Sequence, residues 1–252
     1  MSGKRKLPVV LALAAALITS GCGLDPNSRS KPDVPDLPRS QPDVPDLPPI
    51  QHDLGPDGYR SVVHDSLELL NEYWAQEFAE RNVNYEPPAA LVSYWYSSQD
   101  KGCGGQHAGW DNAQYCQHTD TISWDGNWVL GTLYRQVGDA SVAFLLAHEF
   151  AHAVQHRIES INEFPLTIEV ELNADCLAGA WLGAVDGEVL PLSDTDFQAL
   201  DLTSLILADA RGVPWTDPSA HGTAAQRRKA VVLGGSGGID ACLKRLKPGF
   251  TR

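Results

Sequence analysis

Basic residues are scarce in this chain: 19 lysines and arginines face 32 aspartates and glutamates in 252 residues, for a formal net charge of −13. Nucleic acids and anionic membrane surfaces are held by basic faces that neutralise phosphates, so this balance argues against both as partners. Cysteine is sparse as well, five in all, and no two are spaced CxxC, which argues against a cysteine-built zinc site. Long apolar runs are missing too. The stretch PVVLALAAALI near the start is too short to cross a bilayer as an ordinary helix, and nothing else in the sequence approaches that length. What remains is a chain 43% hydrophobic and 20% charged. That is the composition of a globular protein, in a length that suits one domain with a real core or two small ones.

The apolar stretch follows Lys4, Arg5 and Lys6, so residues 1–21 have the layout of a secretory signal. Losing those three charges takes the net charge to −16. The segment ends in TSGC, small residues and then Cys22, which resembles the lipobox of bacterial lipoproteins with Thr19 where leucine is usual. That resemblance implies cleavage before Cys22, lipid attachment at Cys22, and an exported protein anchored to the membrane on its extracytoplasmic side. An exported chain with Cys103, Cys116, Cys176 and Cys242 left over is expected to form disulfides, and four thiols allow three pairings. Cys103 with Cys116 is the natural local pair, closing a glycine-rich loop; Cys176 with Cys242 would tie the last segment to the middle of the domain.

Beyond Cys22, KPDVPDLPRS is followed by QPDVPDLPPI, so PDVPDLP occurs twice. Proline at such density favours extended polyproline II geometry and removes backbone donors. Residues 22–57 are therefore read as a stiff acidic spacer, and the folded domain as 58–252. Apolar periodicity predicts a helix over 59–82, ended by Pro87-Pro88. ALVSYWYS (90–97) and TISW (121–124) read as strands, with a loop between Cys103 and Cys116. A short helix over 127–137, a break at Gly138-Asp139, and a histidine-bearing helix to about 159 follow. Further helices are expected over 165–185, 193–211 and 223–234. The fold class is a mostly helical α+β domain with a small β-sheet.

The chemistry is concentrated in AHEFAHAVQHRI, residues 147–158. His148, Glu149 and His152 form HExxH. Four residues advance a helix by about 400°, so both imidazoles lie on one face within reach of one ion. Glu149 lies about 100° round from His148, close to that ion without ligating it, where a base can take a proton from water. His156 is excluded as third ligand because eight residues carry it roughly 12 Å along the axis. The best donor is in EVELNADCLAGAWL, where Glu171 and Asp175 are i and i+4 on the next helix. A short connection turns that helix antiparallel to the first. Glu171 would complete a His₂Glu set with one position open, the arrangement of catalytic zinc. Asp175 would accept the second ring N–H of a ligand histidine and fix its tautomer. Cys176 points away from the metal, as a structural bridge should. GGSGG (234–238) imitates a nucleophile elbow around Ser236, but no histidine follows it to complete a triad, so it reads as a turn between terminal helices.

HEFAHAVQ, ELNADCLAGAW and AHGTAAQRR together resemble the bacterial neutral zinc metallopeptidase family and, more distantly, gluzincin-type prenyl-protein endopeptidases. The likeness covers roughly residues 60–240 and includes Cys103, Cys116 and Asp120. It implies a zincin-like fold and one Zn²⁺ per chain held by His148, His152 and Glu171. Glu149 would be the catalytic base, peptides or proteins the substrates, and the TISWD strand would lie beside the cleft to pair with an extended substrate. Ala151 and Ala153 stand where relatives often have Gly and His, neither a ligand position. His221, in AHGTAAQRR, is a candidate for stabilising the oxyanion of the reaction. The rival readings are a catalytically silent zinc-containing lipoprotein that binds or scaffolds a partner, and a cell-wall peptide hydrolase.

Overall fold

The apolar periodicity of the first helical segment folds as α1, Asp57–Glu80, which buries Tyr59, Val63, Leu67, Leu70, Trp74 and Phe78 along one face. A computed structural model describes residues 43–51, 54–95, 102–106, 109–158, 164–186 and 191–243. All of these fall in the compact unit Gln41–Arg252. The signal-like segment, Cys22, the first PDVPDLP copy and His107 lie outside the described residues. Packing reaches back into the proline-rich stretch read as spacer. Ile50–Gln51 forms strand β1, Leu54 is buried, and the Asn71 amide donates to the Pro45 carbonyl at 2.7 Å. Proline removes a donor but keeps its acceptor, so a proline-rich edge can still be held by side chains.

A four-stranded sheet contains β1, β2 (Ala90–Tyr94), β3 (Ala113–Cys116) and β4 (Thr121–Asp125), in the order β1-β2-β4-β3. β2 runs parallel to β1 and to β4; β3 runs antiparallel to β4, with Gln114 opposite Ser123. The expected loop between Cys103 and Cys116 thus contains a strand. The TISWD strand, expected beside the cleft, is β4, and it is hydrogen-bonded on both sides. It has no free edge; β3 stands at the edge of the sheet.

After β4 the chain turns helical at α2 (Gly126–Trp128), capped by the Asp125 carboxylate on the Asn127 and Trp128 N–H groups. It continues as a π-wound segment, Val129–Val137. Gly138, at φ +123°, is in a conformation that favours glycine and ends the segment where the break was expected. Helix α3, Asp139–Arg157, begins there and is buried along most of its length, from Ala140 to Ala151 without interruption. Helices α4 (Thr167–Val185), α5 (Asp194–Ile206) and α6 (Ala224–Cys242) complete the domain. Capping boxes set the starts of α5 (Ser193 with Asp196) and α6 (Thr223 with Gln226).

The GGSGG run is not a turn. It is helical within α6 up to Gly238, where φ 62° and ψ −169° put a kink. Its glycines serve a close approach: a Cβ on Gly234 would fall on the Cys176 carbonyl of α4, and one on Gly179 of α4 would fall on the Val231 carbonyl of α6. Backbones this close tolerate no side chain between them. Two disulfides form, Cys103–Cys116 and Cys176–Cys242; the second joins α4 to the end of α6. They suggest an extracytoplasmic location. No helix among the described residues is long and apolar enough to cross a membrane.

Replacing Gly234 by alanine is expected to cost at least ~1–3 kcal/mol in urea unfolding, since neither backbone can yield freely. Gly131, whose Cβ would meet nothing within 4 Å, is the control, and alanine there is expected to be neutral or stabilising by about 0.5–1 kcal/mol. Equal stability of the two variants would show that the α4–α6 approach is not a constraint.

Candidate metal centre

Two helices supply the candidate ligands, and they run antiparallel: Gln155 of α3 meets Val170 of α4, while His148 meets Asp175. His148 Nε2 and His152 Nε2 are 3.1 Å apart. Glu171 places one oxygen 3.2 Å from His148 Nε2 and the other 3.6 Å from His152 Nε2. One ligand atom from each residue lies within 4.8 Å of the others, near the roughly 3.3 Å spacing that a tetrahedral ion with bonds near 2 Å sets between its ligands. The donor chemistry, two imidazoles and a carboxylate, suits zinc. Among the described residues it is the one group of three or more His, Cys, Asp or Glu side chains that could hold a metal.

The sides of the imidazoles facing away from the triangle are also fixed. His148 Nδ1 lies 2.9 Å from Asp175 Oδ1, and His152 Nδ1 lies 2.9 Å from Gln155 Oε1. The Gln155 amide cannot be turned round, because its Nε2 donates to Val170 O and Asn173 Oδ1, both at 2.8 Å. Its oxygen must therefore face His152 and accept. Both rings then carry hydrogen on Nδ1, which leaves Nε2, on the Glu171 side, as the atom that would bind a metal. Asp175 is itself held: the same Oδ1 accepts Arg227 Nη2 at 2.9 Å, and Arg227 Nη1 reaches Leu207 O at 3.2 Å. Asp175 and Arg227 are both buried, a charge pair that is costly to break on one side.

Electrostatics follow from this packing. Burial opposes protonation of His148, but its hydrogen bonds to the Asp175 and Glu171 carboxylates outweigh it, and its pKa is pushed up to about 10. Burial likewise opposes His152, and Glu171 reverses the outcome, raising it. Burial would lift Glu171, yet the two histidines hold it well below the usual carboxylate range. Glu149 goes the other way. Its burial raises it, with His148 and His152 opposing. A carboxyl readier than usual to hold a proton sits beside the ligand triangle.

His148, Glu149, His152 and Glu171 line a cleft of about 660 Å³. His221 lines it too, on the loop entering α6. The His221 and Gly222 N–H groups donate to Asp209 Oδ2 at 2.9 and 2.7 Å, and His221 Nδ1 lies 3.5 Å from Asp209 Oδ1. His156 reaches the cleft wall against Tyr115, ring centroids 6.3 Å apart, and stays out of the triangle. At the end of α3, the Arg157 guanidinium spans both Asp120 oxygens at 3.1 and 2.9 Å. Tyr115 of β3 donates to Asp120 at 2.8 Å. The histidine helix is thereby fastened to the edge strand.

Sequence reasoning placed His148, Glu149, His152, Glu171 and Asp175 together, and the structure brings them together. It missed Gln155, Asn173 and Arg227. Gln155 carried a signal, three residues after His152 and so on the same helix face. Arg227 begins the buried stripe Arg227, Ala230, Gly234 of α6, whose helical spacing is visible in the sequence although its partner is not.

The family model described as "Putative neutral zinc metallopeptidase" matches residues 6–243. Two curated relatives, both titled "Uncharacterized protein YpfJ", come from Escherichia coli K12 and from Escherichia coli O6:H1 strain CFT073. Each is 24% identical over 190 residues, which cover 67% of this chain and 64% of the relative. The matched part thus spans less than two thirds of the relatives' length. No solved structure matches the chain. With a match from end to end of the folded part and a His-His-Glu cluster at its centre, the chain belongs to the family described as "Putative neutral zinc metallopeptidase".

Proposed function

We propose that the protein is a zinc-dependent endopeptidase that works outside the cytoplasm, tethered by lipid at Cys22. The observation that carries the peptidase reading is the ligand triangle: two Nε2 atoms and one carboxylate converge while both Nδ1 atoms are held from outside. Such a triangle, open to a cleft, is the arrangement of catalytic zinc rather than of a closed structural site. Zinc held by His148, His152 and Glu171 would supply an electrophile for the scissile carbonyl and an acidified water. Glu149 is the base that receives the water's proton and returns it to the leaving amine. Its raised pKa suits that exchange, since a base too acidic would hold the proton poorly. His221, on the cleft wall, is the candidate donor to the developing oxyanion.

Substrate binding falls to β3. It is the edge of the sheet, and its residues Ala113, Gln114 and Tyr115 line the cleft. Asp125 N–H donates to Asn112 O at 2.8 Å. Hydrogen-bonding direction alternates along an antiparallel strand, so the peptide groups of Ala113 and Tyr115 face the free side. An extended peptide can add there as a further strand.

Glu149→Gln is expected to keep one zinc per chain while losing peptide hydrolysis by at least ~10²–10⁴-fold; loss of zinc with activity would make Glu149 a ligand instead. A wild-type protein, zinc-loaded, that leaves every peptide in a diverse pool intact would end the peptidase reading and favour a binding role.

Asp175→Asn and Gln155→Ala are each expected to weaken zinc affinity by ~10–100-fold in chelator competition, because each leaves a ligand imidazole unheld. The metal-free protein should also respond to pH in a defined direction. His148 binds its proton more tightly folded than unfolded, with a folded pKa of about 10. That contribution to stability is complete below about pH 6.5, the value of an unperturbed histidine, and is lost as pH rises through about 10. The proton competes with zinc for the same nitrogen side of the site, so zinc affinity should rise over the same interval. Thermal melts of chelator-treated protein between pH 6 and 10.5, beside zinc titrations, check both trends.

A further inference from the structure

We infer that the cleft selects a lysine or arginine side chain in its substrate and that Asp111 is the residue that reads it, an inference that rests on the peptidase reading above. Among the described residues, the carboxylates lining the cleft are Asp111, Glu149, Glu171 and Asp209, against Arg227 as the one lysine or arginine. Arg227 is already engaged inside the protein by Asp175 and the Leu207 carbonyl. Glu171 faces the two ligand imidazoles, Glu149 is buried beside them, and Asp209 holds the His221–Gly222 loop. Asp111 differs from all of these. It is exposed, and its carboxylate meets no donor among the described residues.

The backbone beneath that carboxylate is tied down. Asp111 stands at φ 49°, a left-handed conformation that Asp tolerates. Its N–H donates to Asp125 Oδ2 at 3.2 Å, and Asp125 is buried and also caps α2. Two residues later the chain enters β3, the free edge strand. A negative charge is thus fixed at one end of the track on which an extended peptide would lie. Trp128 lines the same cleft, and an aromatic face adds to the attraction of a carboxylate for a guanidinium or ammonium group that reaches both. The net charge of −13 draws cationic peptides toward the protein and repels acidic ones.

The test is a cleavage-site profile of a proteome-derived peptide mixture, read for wild type, Asp111→Asn, Asp111→Glu and Asp111→Lys. Asparagine accepts the same left-handed backbone, so the first variant removes charge with little disturbance. Wild type should show lysine and arginine enriched at one position relative to the cut. For a matched pair of peptides with lysine or methionine at that position, the ratio of kcat/KM values should fall roughly tenfold in Asp111→Asn, as for loss of a charge-assisted contact. Asp111→Glu should retain the preference, and Asp111→Lys should turn it toward acidic residues. The wild-type preference should weaken as salt is raised. Hydrolysis with no enrichment of basic residues, or with an enrichment that all variants share, overturns this inference alone. A zinc-loaded wild type inert toward the whole mixture overturns the peptidase reading and this inference with it.

Discussion

One carboxylate oxygen, Asp175 Oδ1, lies between the histidine of one helix and the arginine of another, 2.9 Å from each. From His148 it takes the ring hydrogen that would otherwise leave the tautomer undecided. From Arg227 it takes the countercharge that lets an aspartate be buried at all. Gln155 does the corresponding service for His152, with Val170 and Asn173 holding the amide in one sense. Take these holders away and three candidate ligand atoms would have no reason to lie within 4.8 Å of one another, since two imidazoles and a carboxylate in water are free to turn.

The holders depend in turn on how closely α6 lies against α4. Arg227 can reach Asp175 because the two backbones touch, and they touch because Gly179, Gly183 and Gly234 leave room. The disulfide from Cys176, the residue next to Asp175, to Cys242 brings the far end of α6 back to the same part of α4. Asn173 adds a hydrogen bond from its amide to the Cys242 carbonyl at 2.8 Å. α6 thus touches the two-helix ligand scaffold at both ends, through a salt bridge near its start and a covalent bond at its finish.

What the sequence made legible is what one helix can state by itself. HEFAH and EVELNAD give their geometry directly, because helical spacing converts residue number into direction. The break at Gly138 and the ends of α1 and α4 were legible for the same local reason. Contacts between elements were not. Arg227 looked like any charged residue of an amphipathic helix, since its partner lies 52 positions earlier. The glycine run suggested a turn because glycine lacks a side chain; the same lack serves close packing, and only the neighbouring helix decides between them. β3 is four residues of mixed polarity, AQYC, too short to show a period. β1 hid because it is only two residues, Ile50–Gln51, at the end of a proline-rich stretch.

Arg227 and Cys242 lie on α6, after every candidate ligand in the chain, and that order has a temporal consequence. The candidate ligands emerge between residues 148 and 171, and the arginine that anchors Asp175 and the cysteine that bridges to α4 emerge later. A nascent or truncated polypeptide ending before α6 would carry every candidate metal ligand without the arginine that anchors Asp175 or the sulfur bridge behind it. The candidate metal site would then be steadied only once α6 has been made and its cysteine has been oxidised, so assembly of the site is coupled to formation of the Cys176–Cys242 bridge.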